Sequence, residues 1–225
     1  MRILFSFLAL TLFTLPVQAA SWCRPDAAPK VSVKSDTDKI TWDFSKPQAA
    51  LNKLEIDTVN PYGQNVITDV GGLMQGGIQM SETMKFGSLT NPNTNEVCMF
   101  YNAVEIKFHI QPTIYIASEH PPGTCMHNAI KQHEMKHINM DRQIVNKYAR
   151  LVGNAAQAEI RRQSVHGPVP VSHGEALQAQ MKQRLEQILI SSSQKMDGER
   201  RKLQQGIDSL AEYERVNAQC KPRRR

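Results

Sequence analysis

Alternating apolar and polar residues characterise residues 21–120 of the chain. The clearest case is the segment 97–111, where alternation with period two predicts a strand with one buried face. Its alternating apolar members are Val104, Ile106, Phe108 and Ile110. Shorter alternations predict further strands near residues 31–33, 39–44 and 54–58. The first half of the chain is therefore predicted to consist of strands and turns.

Glycine and proline indicate where these strands end. Glycine pairs at 71–72 and 76–77 predict turns or a flexible loop. Pro112 follows the long strand, and residues 113–117 resume the pattern as a second short strand. A proline in this place is typical of an edge strand or of a break between strands.

The hydrophobic period changes to that of a helix at residue 124. Thr124 is a candidate N-cap after a Pro-Pro-Gly turn, and Gly153 is a candidate stop. Between them, apolar and histidine side chains recur every three to four residues. They are Ile130, His133, His137, Ile138, Met140, Ile144, Val145, Tyr148 and Val152. We therefore expect a helix over 124–152, with helical composition resuming to about residue 163.

The last third of the chain is also helical in pattern. Residues 167–174 contain two prolines and two glycines, which predict a linker or hinge. Residues 175–218 then carry an apolar stripe on a polar background, formed by Leu177, Met181, Leu185, Ile188, Leu189, Leu203, Ile207 and Leu210. The wide polar face leaves two interpretations open: a helix packed on the domain, or an arm that binds a partner helix. Together the patterns predict an α+β fold, with a small, mostly antiparallel sheet packed on the helix 124–152 and a long C-terminal helical extension.

Residues 1–20 have the pattern of a secretory signal peptide. Arg2 precedes an apolar run over 3–15, and Ala19 and Ala20 offer a cleavage site. The run is shorter than the about 20 residues that a membrane helix needs. We expect cleavage, no integral membrane segment afterwards, and a mature protein that is periplasmic or secreted.

Composition and charge limit the classes of partner that we expect the protein to bind. The 225 residues carry a net charge of +6, but the basic residues are spread out, and only 6% of residues are aromatic. A stacking platform for single-stranded nucleic acid is therefore not expected, and no nucleic-acid partner is predicted. The basic tail at 221–225 is interpreted as a solvated end.

Four cysteines remain after the predicted cleavage. An even number in an exported chain favours two disulfides. Three pairings are possible, and we favour Cys98–Cys125, which closes a short loop, with Cys23–Cys220, which ties the ends together. A zinc-binding cysteine cluster is not expected because the chain lacks a C-x-x-C pair.

One motif carries recognisable chemistry, the H-E-x-x-H sequence that begins at His133. On a helix, His133 and His137 lie one turn apart on one face, so both imidazoles can reach one Zn²⁺ ion. Glu134 can then act as the general base that takes a proton from a zinc-activated water and passes it to the leaving amine. The motif lies in the strongest predicted helix, directly after the strand-rich region.

The third zinc ligand is not evident from the sequence. Asp141 lies one further turn along the helix, which we expect to be too far for direct coordination, and is better placed to accept the second ring N–H of His137. A surface ion pair of Asp141 with Arg142 or Lys147 is the alternative. The remaining candidates for the third ligand are Glu119, His120, His127, Glu159, His166 and His173. Glu159 qualifies only if the chain turns near Gly153.

These features resemble those of the zincin superfamily of zinc peptidases. The signal peptide, the cysteine before the helix and the pattern His133-Glu134-x-x-His137-x-x-x-Asp141 are similar to a bacterial family of uncharacterised secreted zinc-dependent proteases. The resemblance covers about residues 95–150. It implies a zincin-like catalytic domain over 21–165, followed by a linker at 166–174 and the extension at 175–225. It also implies that the strand at 113–117 is an edge strand that binds an extended peptide by β-augmentation.

The sequence leaves three functional hypotheses. The first is an exported zinc metallopeptidase that acts on a peptide or protein substrate. The second is an envelope binding or scaffold protein with a structural or vestigial metal site and an interaction helix at 175–218. In the third, the C-terminal helix covers the site and regulates it. The chain lacks a G-x-S-x-G elbow and a complete phosphate-binding loop, so serine hydrolase and P-loop chemistry are not predicted.

Overall fold

A computed structural model of the chain describes residues 21–55, 58–63 and 69–220. The predicted signal peptide and the basic tail at 221–225 lie outside these residues. The described chain has an α+β fold, as the sequence pattern predicts. Its order is β1 (Lys30–Thr37), β2 (Thr41–Asp43), α1 (Gln48–Leu51), β3 (Gly72–Gln75), β4 (Ile78–Asn91), β5 (Glu96–Ile110), β6 (Thr113–Ile116), α2 (Cys125–Arg162), β7 (Val165–Pro170), α3 (Gly174–Ile207) and α4 (Leu210–Gln219), with a short 3₁₀ turn at Val171–His173.

The long strand β5 organises the larger of two sheets. It pairs in parallel with β1 and antiparallel with β4, and its first residues pair antiparallel with β7. The alternation predicted for this strand is confirmed, because Val104, Ile106, Phe108 and Ile110 are all buried. The segment interpreted as a linker thus contributes strand β7 to this sheet.

The smaller sheet has the order β2-β6-β3. Its central strand is β6, so the expectation that residues 113–117 form an edge strand is wrong. Pro112 breaks the chain between β5 and β6 and allows the two strands to join different sheets. Among the described strands, β3 is an edge of this sheet, and the predicted turn at 71–72 is in part the start of β3.

Helix α2 runs without interruption for 38 residues. Thr124 caps its N-terminus, since its hydroxyl accepts a hydrogen bond from the backbone N–H of His127. The predicted stop at Gly153 is wrong: a Cβ there would lie 2.9 Å from Val33 Cγ2. The glycine therefore permits close packing of α2 on β1, and the helix continues through it.

The main core lies between the larger sheet, α2 and α3. The buried residues of the predicted apolar stripe on α3, including Met181, Leu185 and Leu189, are part of this core. A second cluster joins the smaller sheet to α2 and α4 around Ile114, Ile116 and Ile138. The C-terminal helices are therefore packed on the domain. No helix in the described ranges is both long and apolar enough to span a bilayer.

The structure corrects the extent of the C-terminal helix. The helix expected over 175–218 ends at Ile207 and restarts at Leu210, where Ser209 caps α4 by accepting from the backbone N–H of Glu212.

The favoured disulfide pairing is also wrong, because Cys23 is bonded to Cys98 and Cys125 to Cys220. Cys23 lies near the start of β1, beside the start of β5, and Cys220 follows α4, which packs on α2; this topology sets the pairing.

Candidate metal centre

Helix α2 presents the three residues of the motif together. His133, Glu134 and His137 are each at most 7% exposed. The two imidazole Nε2 atoms lie 3.4 Å apart, as the spacing of four residues on one helical face requires. The rings are nearly perpendicular, with an interplanar angle of 85°. Both histidines therefore direct one nitrogen to the same point.

Asp208 brings a third donor to this point. It lies in the two-residue joint between α3 and α4 and is 7% exposed. Its Oδ1 lies 3.1 Å from His133 Nε2 and 3.2 Å from His137 Nε2. One donor atom from each of the three residues lies within 4.8 Å of the other two.

The spacing of these donors fits a tetrahedral metal ion. Zinc bonds to histidine nitrogen and carboxylate oxygen are about 2.0–2.2 Å long, which places two ligands of a tetrahedron about 3.3–3.6 Å apart. The distances of 3.1, 3.2 and 3.4 Å are close to this range. Two imidazoles and one carboxylate are also ligands that zinc prefers, and three protein ligands leave a fourth position open.

The outer nitrogens of both rings have acceptors. His137 Nδ1 lies at hydrogen-bond distance from Gln204 Oε1, and His133 Nδ1 lies 3.3 Å from Glu212 Oε1. Because a carboxylate and an amide oxygen only accept, each Nδ1 carries the proton in these contacts. With its proton held at Nδ1, each ring that gives up its Nε2 proton has a free lone pair at Nε2, which is the form that binds a metal.

Asp141 supports the site through Gln204 rather than through the His137 ring. The Gln204 amide donates to Asp141 Oδ1 at 2.7 Å and to the backbone oxygen of His137 at 3.2 Å. Arg200 binds both oxygens of Asp141, at 2.7 and 3.1 Å. Asp141 is fully buried. Gln204 of α3, which Asp141 holds in place, therefore has the orienting role towards His137 that was predicted for Asp141. Arg142 contacts Asn139 and Lys147 contacts Glu199, so the alternative ion pair of Asp141 with either residue is not formed.

Glu134 lies against the edge strand β3. Burial raises the pKa of its carboxyl, an effect that the neighbouring His133 and His137 partly offset and that a hydrogen bond from the Met74 backbone N–H also opposes. The contact between helix and strand is close: a Cβ on Gly72 would lie 2.2 Å from Ile130 Cγ2 and 2.9 Å from Glu134 Oε1. Glycine at this position therefore allows the strand to reach the helix.

The charges of the three donors are strongly coupled. Burial disfavours a charged His137, but its contacts with Asp208 and Glu134 outweigh this effect and raise its pKa to about 9. Burial likewise opposes ionisation of Asp208, yet hydrogen bonds with His133 and His137 hold its pKa below the usual range. In the metal-free protein, positive charge on the imidazoles therefore balances the buried carboxylate.

The other candidates for a third ligand lie elsewhere. Glu159 pairs with Arg162 and Arg184 near the far end of α2, since the chain does not turn at Gly153. His127 bonds the backbone oxygen of His120, and Glu119 accepts from the backbone of Gln48. His166 packs on Tyr101, and His173 is exposed in the 3₁₀ turn. Of this set only His120 lines a cavity next to the motif.

The sequence pattern does not identify Asp208 as a third ligand, because Asp208 lies 75 residues after His133. Strand β7 and helix α3 come between them. A local signal was present. Asp208-Ser209 interrupts the apolar stripe with two residues that favour helix ends and N-caps. That signal indicates a break between helices, but only the packing of α3 and α4 on α2 shows that the break meets the two histidines.

Two cavities of about 400 and 350 Å³ meet at the motif. The larger is bordered by Met126, Ile130 and Val216, and the smaller by the β3 residues and Arg200. The residues that line both are Thr58, Val70, Gly72, His133, Glu134 and Tyr213. The cavities thus form one cleft, with β3 on one wall, α3 and α4 on the other, and the motif between them.

A second group of donors lies on the larger sheet, at Asp36, Asp38 and His109. Both carboxylates are exposed, and they contact opposite nitrogens of His109, at 2.6 and 3.2 Å. The ring is therefore bracketed by two carboxylates and does not direct one nitrogen to a common point with them. The three donors on α2 and the α3–α4 joint are buried and convergent.

Comparison of the chain with family models, with curated proteins and with solved structures finds no match. The candidate site is therefore defined by its own geometry.

Proposed function

We propose that the protein is an exported zinc-dependent peptidase whose metal ligands are His133, His137 and Asp208. The observation that carries the proposal is the convergence of three buried donors at tetrahedral spacing beside a buried glutamate. The two disulfides support export, because such bonds persist in oxidising compartments.

Each residue has a defined task in this proposal. Zinc, when bound by the three donors, would lower the pKa of a water in the open position. Glu134 would accept a proton from the attacking water as its oxygen bonds to the substrate carbonyl carbon, and would pass that proton to the nitrogen as the C–N bond breaks. Burial supports this role, since it raises the pKa of the Glu134 carboxyl above its ordinary value and so makes the carboxylate a stronger base. Gln204 and Glu212 hold the two imidazoles in the metal-binding tautomer.

The edge strand β3 supports an extended peptide as the substrate. Because the Gly71 carbonyl accepts from Ala117, the alternate residues Leu73 and Gln75 turn their backbone groups to β6, whereas those of Met74 point away from β6. Strand β3 thus turns one side of its backbone to the cleft. A peptide that lies along this strand by β-augmentation passes directly over the motif. The strand that the resemblance assigned to this task at 113–117 is replaced by Gly72–Gln75.

The role of the C-terminal helices changes with this proposal. If α3 and α4 only covered the site, deletion of residues 175–225 would raise activity. Because these helices supply Asp208, Gln204 and Glu212, the proposal instead predicts that the deletion abolishes zinc binding. A scaffold protein with a vestigial site would keep its function when Glu134 is replaced.

The test compares Glu134→Gln with Glu175→Gln, an exposed glutamate in the first turn of α3. Purified wild-type protein should bind one zinc per chain and cleave an unstructured protein such as casein. Glu134→Gln should keep the zinc and lose about 10²–10⁴ of the rate, as expected for loss of a general base. Glu175→Gln should retain both properties. Protein that binds no zinc, or a Glu134→Gln variant with full activity, would refute the proposal.

A further inference from the structure

A short stretch of chain, residues 58–63, lies at the junction of the two halves of the cleft. We call it the strap. Thr58 lines both cavities together with His133 and Glu134. Glu55, before the strap, lines the smaller cavity, and Asp69, after it, lines the larger cavity and precedes β3. The described residues of the strap thus lie where the two cavities meet.

Polar contacts fix the strap to the α3–α4 wall. The Thr58 hydroxyl donates to Asp208 Oδ2 at 2.6 Å. The backbone N–H of Val59 donates to Gln205 Oε1 at 2.7 Å, and the Gln205 amide donates back to the Val59 carbonyl at 3.1 Å. At the other end, the Tyr62 ring meets the edge of Tyr213, with centroids 6.1 Å apart.

These contacts hold the strap by hydrogen bonds more than by buried apolar surface. The Val59 side chain is 59% exposed, whereas its peptide group is bonded on both sides by Gln205. The motif histidines share the smaller cavity with Thr58 and are nearly closed to solvent, since His133 and His137 are each 7% exposed. A peptide substrate needs the space at this junction.

We propose that the strap is an autoinhibitory closure of the cleft, which must leave the α3–α4 wall before an extended substrate reaches the three donors. This inference concerns the regulation of the proposed peptidase site and rests on that function for its biological meaning. The contact of Val59 with Gln205 is the latch, because it can be removed without altering a donor or Glu134. Release of the latch should increase access to the motif histidines.

The test measures access directly in the zinc-free protein. Diethyl pyrocarbonate modifies accessible histidine rings, and peptide mass spectrometry gives a separate rate for each. Val59→Pro removes the N–H of the latch and leaves Gln205 in place. Gln205→Ala removes both hydrogen bonds of the latch and also the hydrogen bond that the Gln205 amide donates to the Asp208 backbone carbonyl at 3.3 Å. Gln194→Ala, an exposed glutamine on the same helix, is the control. Rates are normalised to exposed His173, and buried His166 reports general loosening of the fold.

Modification of His133 and His137 should accelerate about fivefold in Val59→Pro and about thirtyfold in Gln205→Ala, as expected for the loss of one and two net hydrogen bonds. Gln194→Ala should match the wild type. Rates within twofold of the wild type in both latch variants would overturn the proposal, as would equal acceleration at His166. Zinc-loaded Val59→Pro should also cleave casein faster.

The two proposals fail in different ways. If every variant is inactive on peptides but the latch variants expose the histidines, the peptidase is refuted and the closure stands. If the wild type is an active zinc peptidase and histidine access does not change, the closure is refuted and the peptidase stands.

Discussion

Replacing Asp208 by alanine tests whether the joint between α3 and α4 completes the metal centre. His133 and His137 are neutral donors when they bind zinc, so Asp208 is the one negatively charged member of the convergent group. Loss of an outer-shell partner typically costs 10–100-fold in metal affinity. Loss of a direct donor that also supplies the charge should cost more, at least about a thousandfold, which corresponds to about 4 kcal/mol.

Zinc affinity can be measured by competition with a chromophoric chelator at constant pH. The structure predicts an order of effects: Asp208→Ala the largest, Gln204→Ala intermediate at about 10–100-fold because Gln204 only orients His137, and Glu134→Gln near the wild type. Asp36→Ala is the control for the exposed group on the larger sheet and should not change the affinity. An Asp208→Ala protein that binds zinc within tenfold of the wild type would refute the assignment. A large loss in Asp36→Ala would place the metal on the sheet.

Packing, protonation and covalent structure each give one further prediction. Gly72→Ala should lower the free energy of unfolding by about 1–3 kcal/mol, because the new Cβ would meet Ile130. The double variant Gly72→Ala with Ile130→Ala should lose less stability in urea unfolding than the two single variants together, and a double-variant loss within about 0.5 kcal/mol of their sum would contradict this. In zinc-free protein, protonated His137 stabilises the fold because its pKa is raised to about 9, so the free energy of unfolding should fall as the pH rises from about 6.5 to 9, and His137→Gln should flatten this slope. Replacing both Cys125 and Cys220, 95 residues apart, by serine should lower the free energy of unfolding by about 4–5 kcal/mol in the chain-entropy estimate, measured by denaturation under non-reducing conditions.

Local patterns predicted the elements well where one face is buried. The alternation from Val104 to Ile110 identifies the buried face of β5, and the period of α2 places His133 and His137 on one side. The stop assigned to Gly153 was wrong because a glycine at a close helix–strand contact has the same local appearance as a C-cap.

Long-range relations could not be predicted in the same way. The sequence does not tell which strand is central in the smaller sheet, and a proline beside a short strand is typical of an edge although β6 is central. The disulfide partners likewise depend on the parallel pairing of β1 with β5 and on the packing of α4 on α2. The third donor depends on a helix break whose position in space follows from the core beneath α3, and no spacing rule relates Asp208 to the histidine motif.

The 75 residues between His133 and Asp208 also set an order in time. A chain that leaves the ribosome carries the histidine motif long before it carries the carboxylate that meets it. A nascent chain that extends past His137 but ends before Gln204 therefore has two of the three donors and lacks both Gln204 and Glu212. The covalent link from Cys125 to Cys220 closes later still, within the last described turn of the chain. The three donors can therefore come together only when nearly all of the chain has been synthesised, and the site is incomplete until then.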